Sequence, residues 1–172
     1  MANIKHIEIL NEGVALWNQW REDHPTLIPD LCEAVITFTD LTNTNFRKTQ
    51  LKKAILSSTK LSGADFTESD LRGADLGRAD LSQANLSRAN LSASYIVEAS
   101  LKDAVLIHSV LKRANLTAAR LQNANLRGAN LREANLRGTN FRGANLEFAD
   151  LRQANLDLTN FEGANTKNTI FG

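Results

Sequence analysis

The chain has 172 residues, 20 Lys and Arg against 19 Asp and Glu, a net charge of +1 and a single cysteine. Its length suits one domain with a small appendage, and its near-neutral charge supplies no steering toward nucleic acid or a strongly acidic partner. Cys32 alone excludes an intrachain disulfide and suits a reducing compartment.

The first residues predict a helix. Ile4, Ile7, Leu10, Val14 and Trp17 recur at steps of three and four, with Leu16 and Trp20 nearby and Lys5, Glu8, Glu12 and Asn18 between them. That spacing predicts an amphipathic helix over 4–22 with Asn3 as its N-cap. Pro25 pushes His24 out of helical angles and should end it, while Gly13 marks a weak point or kink. His24–Asp30, with two prolines, reads as a connector. No apolar run approaches the ~20 residues of a membrane helix. The N-terminus lacks the basic start and apolar core of a secretion signal, so a cytoplasmic setting is expected. Two basic against four acidic residues in the first 29 argue against a membrane-surface role for the helix.

From Asp30 onward a different rule governs. Every fifth residue from Leu31 to Phe171 is Leu, Ile or Phe, with the sole exception of Thr166, and from Ala34 to Thr169 the residue two before each is Ala, Thr or Ser. A step of five advances roughly 500° around an α-helix, so these residues would spiral rather than form a stripe. On a flat strand an odd step would alternate faces. The pattern closes only if the chain turns after each five-residue unit, so that large and small residues both point at one axis. Four units then make a coil of twenty residues, and coils stack at ~4.8 Å. Phe46 should lie over Phe66, and Phe141 over Phe161. Six glycines (Gly63, Gly73, Gly128, Gly138, Gly143 and Gly163) fall two after the large residue, where a corner would need positive φ. Asp or Asn just before the large residue can bond backbone at those corners.

Ala74-Asp75-Leu76, Ala84-Asn85-Leu86, Ala129-Asn130-Leu131-Arg132 and Gly143-Ala144-Asn145-Leu146 resemble the signature of the pentapeptide-repeat family, over about five-sixths of the chain. The resemblance implies an all-β solenoid: a right-handed quadrilateral β-helix of about seven coils with an N-terminal α-helical cap. Residues 1–29 would be the helical cap and connector, and 30–172 the repeat domain. Gly13–Pro29 also resembles the leader of cyanobacterial members. An uncapped first coil would expose unpaired backbone and core, so Trp17 and Trp20 are expected to cover it. At the far end Ile170 takes the usual Asp/Asn slot and Phe171 follows it. Since family members often dimerise through C-terminal coils, Ile170 and Phe171 are candidates for self-association. A monomer closed by local side chains is the alternative.

The coil 91–110 keeps its core but loses its polar coat. Tyr95, Val97, Val105, Ile107 and Val110 occupy outward slots on more than one face, a partial belt rather than one flat patch, with Val35 and Ile55 in the column of Tyr95. Such a group suggests a protein contact surface, although single exposed apolar residues are ordinary. A basic row (Lys52, Arg72, Lys112, Arg132, Arg152, joined by Arg127, Arg137 and Arg142) reads as a docking strip or, with Glu133, Glu147, Asp150 and Asp157 interspersed, as a solvated face.

No catalytic constellation, cofactor fingerprint or metal spacing occurs. His6, His24 and His108 are scattered, and a rod filled with Leu and Ala is expected to offer no pocket for a small substrate. The reading is a non-enzymatic module that binds an unidentified protein partner through its outer faces, with no small-molecule substrate and no membrane. Some members of the resembled family mimic DNA and bind a type II topoisomerase, which needs a negative surface. Here the repeats hold 18 basic and 15 acidic residues, which argues against mimicry and against nucleic acid. A structural spacer is the remaining alternative.

Overall fold

The computed structural model of the chain describes residues 1–172. It opens with two short helices, α1 (Ile4–Asn11) and α2 (Val14–Asp23), where the sequence predicts one. Gly13 separates them at φ 116° and ψ 163°, a conformation no helix can pass through. The Asn3 side chain caps α1 by accepting from the Lys5 amide at 3.0 Å. Because the break resets the helical phase, α2 buries Trp17 and Arg21, while Leu16 is exposed. Ile4, expected on the apolar face, also points to water.

Past Pro29 the backbone forms parallel bridges between residues twenty apart, from Asp30↔Gln50 through Asp150↔Ile170. Each coil of this β-helix turns four times, once per five residues. The unit Asn115–Ala119 shows why the arrangement holds. The Leu116 and Ala118 amides donate to Asn135 and Arg137 of the next coil at 2.8 and 2.9 Å. Asn115 N–H donates to Ser94 of the preceding coil at 2.9 Å, and Ala119 N–H closes the corner onto the Leu116 carbonyl at 2.9 Å. The fifth amide, Thr117, donates to the Asn115 side chain at 3.1 Å. Every N–H in the unit has an acceptor, which is what burial of a backbone demands.

The corner has a conformational cost. The residue two after each large side chain has positive φ in all 28 units from Glu33 to Asn168, and only six of these are glycine. Each non-glycine residue there gives up roughly 1–2 kcal/mol, offset by the inter-coil bond its own amide makes. Glycine at such a corner has a second use at Gly128, where a Cβ would stand 2.5 Å from Nδ1 of His108 below it.

The interior is dry and layered. The Leu series from Leu51 to Leu146 is fully buried, and the small slots between hold Ala or a hydroxyl. Buried hydroxyls find carbonyls: Ser94 bonds Leu91 at 2.7 Å, and Thr139 bonds Leu116 at 2.8 Å. Phe46 stacks on Phe66 with ring centroids 5.1 Å apart, and Phe141 on Phe161 at 5.4 Å, as the twenty-residue spacing predicts.

The two helices lie over part of the first coil. Trp17 Nε1 donates to the Asn45 carbonyl at 2.8 Å, and Asn18 bonds both the Asn43 carbonyl and the Asn45 amide. Asn3 N–H donates to the Asp30 carbonyl, and Asp30 N–H to Nδ1 of His6, each at 3.0 Å. These bonds replace those a preceding coil would have made. The cover stops short of Val35–Asp40, where the Ile36 corner lacks its closing bond and Phe38 is 83% exposed.

Between Asp30 and Asn165 nineteen units carry Asp or Asn before the large residue, and in all nineteen that side chain accepts from the amide two residues on. Asn115→Ala should therefore destabilise the fold by about 1 kcal/mol in urea denaturation, with Asn115→Asp retaining most of it. Equal losses would deny the side-chain acceptor its role. At Asp70 partial burial raises the carboxyl pKa, but hydrogen bonds from Arg72 and its amide, with Lys52 at 3.3 Å, hold it below its ordinary value overall. Arg152 does the same for Asp150. A depressed native pKa gives stability that is complete above the unfolded value of about 3.9 and lost as pH falls through the native one. Melting temperature should thus fall below about pH 4. Asp70→Asn, which keeps the corner acceptor, should shallow that fall, and an unchanged acid limb would remove Asp70 from it.

Candidate functional site

One face of the rod departs from the polar coat. Its central column runs Val35, Ile55, Asp75, Tyr95, Asn115, each bridged to the next. Inter-coil bonds fix Tyr95, whose amide donates to Ala74 at 2.9 Å and whose carbonyl accepts from Leu76 at 2.7 Å. Its ring therefore projects from a rigid frame, and the residue is 58% exposed.

Between Ile55 and Tyr95 the coil carrying Asp75 has glycine at both flanking corners, Gly73 and Gly77. With no side chains there, an open hollow of about 460 Å³ forms, walled by Lys53 and Ile55 on one side and Tyr95 and Val97 on the other. Asp75 lies on its floor, one carboxylate oxygen accepting from the Gly77 amide at 2.9 Å. No Lys or Arg comes within 4.0 Å of that carboxylate. A Cβ on Gly77 would stand 3.1 Å from it, tighter than ordinary packing. The site thus pairs apolar walls with one unpaired negative charge. The wall residues also forgo the corner bond: with Val35, Ile55 and Tyr95 in the Asp/Asn slot, the amides of Thr37, Ser57 and Val97 have no protein acceptor.

The five apolar residues of coil 91–110 do not form one surface. Tyr95 and Val97 share this face, but Val105 lies two corners further along the coil and Val110 three, with Ile107 at the corner between them. Val105, Ile107 and Val110 are half-buried rather than exposed. The coil turns through all four sides within twenty residues, so sequence neighbours part company.

The surface carries shallow hollows. Besides the Asp75 hollow, one of about 410 Å³ is lined by Gln122, Asn123, Arg142, Gly143, Glu162 and Gly163, and one of about 250 Å³ lies beside α2. All three sit between outward side chains; glycine corners open the first two, and the axis stays filled. Gly73 and Asp75 were read in the sequence as structural residues only, and Gly77 was not singled out. Their signal is the spacing of two glycines astride one Asp, found nowhere else in the repeats.

Most of the basic row is paired along the rod, often two cations to one carboxylate, while Arg137 has no carboxylate within 4.0 Å. Arg72 forks onto Asp70 at 2.7 and 2.8 Å, Lys112 and Arg113 share Glu133, and Arg132 and Arg152 share Asp150. Arg127 pairs with Glu147 and Arg142 with Glu162, one coil on.

Trp17 is fully buried with its ring centroid 5.8 Å from that of Phe46, while half-buried Trp20 packs between His6 and His24. Buried His6 and Arg21 serve the same junction and were not anticipated. Ile170 takes its place in the bridge ladder at 46% exposure, and Phe171 rests edge-on against Phe161 at 6.0 Å. The final coil leaves Leu156, Phe161 and Ala164 partly exposed. No three His, Cys, Asp or Glu side chains converge on a metal-sized site, and no helix is long and apolar enough to cross a membrane.

No curated protein matches the chain. Among solved structures, a trypsin-treated form of QnrB1, a plasmid-mediated fluoroquinolone resistance protein, is 24% identical over 83% of this chain and 77% of its own, with a TM-score of 0.58. HetL, a pentapeptide repeat protein involved in heterocyst differentiation regulation in the cyanobacterium Nostoc sp. strain PCC 7120, is 23% identical over 89% and 95%, with a TM-score of 0.37. The pentapeptide repeat protein alr5209 of Nostoc PCC 7120 is 30% identical over 60% and 84%, at 0.43. The family model for pentapeptide repeats matches in eight copies, over stretches that run from residue 30 to 168. With that match over an uninterrupted five-residue register and a twenty-residue bridge ladder, the chain belongs to the pentapeptide-repeat family.

Proposed function

We propose that the chain is a non-enzymatic protein-interaction module: a right-handed quadrilateral β-helix of about seven coils (30–172) under an N-terminal helical cap (1–29), acting in the cytoplasm. Its partner docks on the face of Ile55, Asp75, Tyr95 and Val97. The observation that carries this reading is local. Asp or Asn at positions 55 and 95 would add a corner bond, worth about 1 kcal/mol each, yet these positions hold large apolar side chains facing water. Residues that work against the local rule of a fold are the ones to read as functional. Tyr95 is also the residue type that anchors interfaces, being large, rigid and polar at its tip. The hollow fits a protein segment that brings an apolar side chain to Ile55 and Tyr95 and a basic one to Asp75.

Mimicry of DNA toward a type II topoisomerase finds no support in the electrostatics, since the charges pair into near-neutral ladders rather than a negative surface. The partly exposed final coil, with Ile170 and Phe171, suits a second copy better than solvent, so a homodimer through that end is compatible with a partner on the Tyr95 face.

Tyr95→Asn separates stability from function. It supplies an acceptor to the Val97 amide and should raise the melting temperature slightly, while weakening capture of the partner from the native host by roughly thirtyfold, as loss of an anchor worth about 2 kcal/mol does. A photo-crosslinker at position 95 should yield an adduct that one at Asn155, three coils along the same column, does not. Undiminished capture by Tyr95→Asn would remove this face from the function.

A further inference from the structure

Where α2 meets the first coil lies the hollow of about 250 Å³ lined by Arg21, Pro25, Asn45, Arg47 and Lys48. Three of its five residues are cations and none is acidic. Arg21 is 7% exposed. Its guanidinium donates to the Leu27 carbonyl at 3.1 Å and to the Arg47 carbonyl at 2.8 Å, which pins α2 to the coil edge. Its buried Nε has no partner, and no carboxylate lies within 4.0 Å of the group. Burial and then the charge of Arg47 both weaken its hold on the proton.

Edge capping explains two of the five guanidinium donors and leaves the charge uncompensated. A cation taken from water without a counter-ion is costly, and carbonyl bonds return only part of that. The neighbouring acids do not reach it: Asp65 pairs with Arg47 at 3.3 Å and Glu68 with Lys48 at 3.8 Å, both on the outside of the next coil. Those pairs are half-exposed or more on the basic side, so they hold Arg47 and Lys48 weakly. Asn45 uses its carbonyl oxygen on the Arg47 amide at 3.2 Å, leaving its NH2 as a further donor.

We propose that this hollow is a binding site for one small oxyanion, a phosphate or carboxylate group, held by Arg21, Arg47 and Lys48. Arg21 supplies the fixed charge, and Arg47 and Lys48 swing from Asp65 and Glu68 to close over the ligand. A guanidinium fork suits the planar or tetrahedral oxygens of such a group. Because Arg21 also bonds the coil backbone, occupancy fastens the cap to the first coil.

The test uses the full chain, titrated with inorganic phosphate and separately with acetate, at ionic strength held constant with chloride. The readouts are emission from Trp17 and Trp20, both on α2, and melting temperature. Saturable change with either ion, accompanied by a rise of several degrees, is expected, and which ion acts tells phosphate from carboxylate. Arg47→Ala combined with Lys48→Ala, both exposed side chains, should weaken binding at least tenfold without lowering the ion-free melting temperature by more than a few degrees. Arg21→Lys, which keeps the charge and loses the fork, should weaken it as well. Arg137→Ala, on a distant coil, should not. A response no larger than that to chloride alone, or one retained in the double variant, overturns the site.

Discussion

The corner amide is the constraint on which the rest depends. A chain that turns every five residues exposes one backbone N–H per corner that neither the ladder nor the turn can satisfy, and the Asp or Asn before the large residue takes it. With that bond made, the unit is complete and its outward slots are free to vary. Leu and Ala fill the axis, the ladder joins the coils, and each coil leans only on its neighbours. Interaction chemistry therefore has to be written on the skin, in residues that the core does not constrain.

This division decides where variation is tolerated. At Asp70, Asp80 and Asn130 the slot before the large residue serves the fold. At Ile55, Tyr95, Val105 and Val110 it does not, and the amide two residues later is left without a protein acceptor. A rod already burdened with positive φ at every corner gives up further stability at these few points. The slot also lacks Asp or Asn at Gln50, Lys60, Ser100 and Arg120; Ile55 and Tyr95 stand apart because they are large, apolar and exposed, and flank glycine corners and an unpaired carboxylate.

Most of the fold was legible in the sequence because a period of five reports directly which residues share the axis. Phe46 over Phe66 followed from counting to twenty, and positive φ at Gly73 or Gly143 from their place after the large residue. Less was legible at the surface. The hollow at Asp75 needs three successive coils to be seen together. His6 and Arg21 carried no signal, because periodicity does not say that a polar residue will be drawn inward. The first coil recruits them to its unpaired backbone. Gly13 was legible as a weak point or kink, and the structure makes it a full break between two helices.

The twenty-residue circuit has a consequence for how such a rod can lengthen. Duplicating four units adds a storey and leaves every face aligned above and below it. Inserting a single unit of five keeps the axis filled and the hydrogen bonds intact, yet it rotates everything beyond it by a quarter turn. Placed between Ile55 and Tyr95, such an insertion would carry the tyrosine round to another side, dismantling the proposed docking face in a molecule that still folds. The fold thus tolerates length changes in steps of five, and a surface spanning several storeys only in steps of twenty.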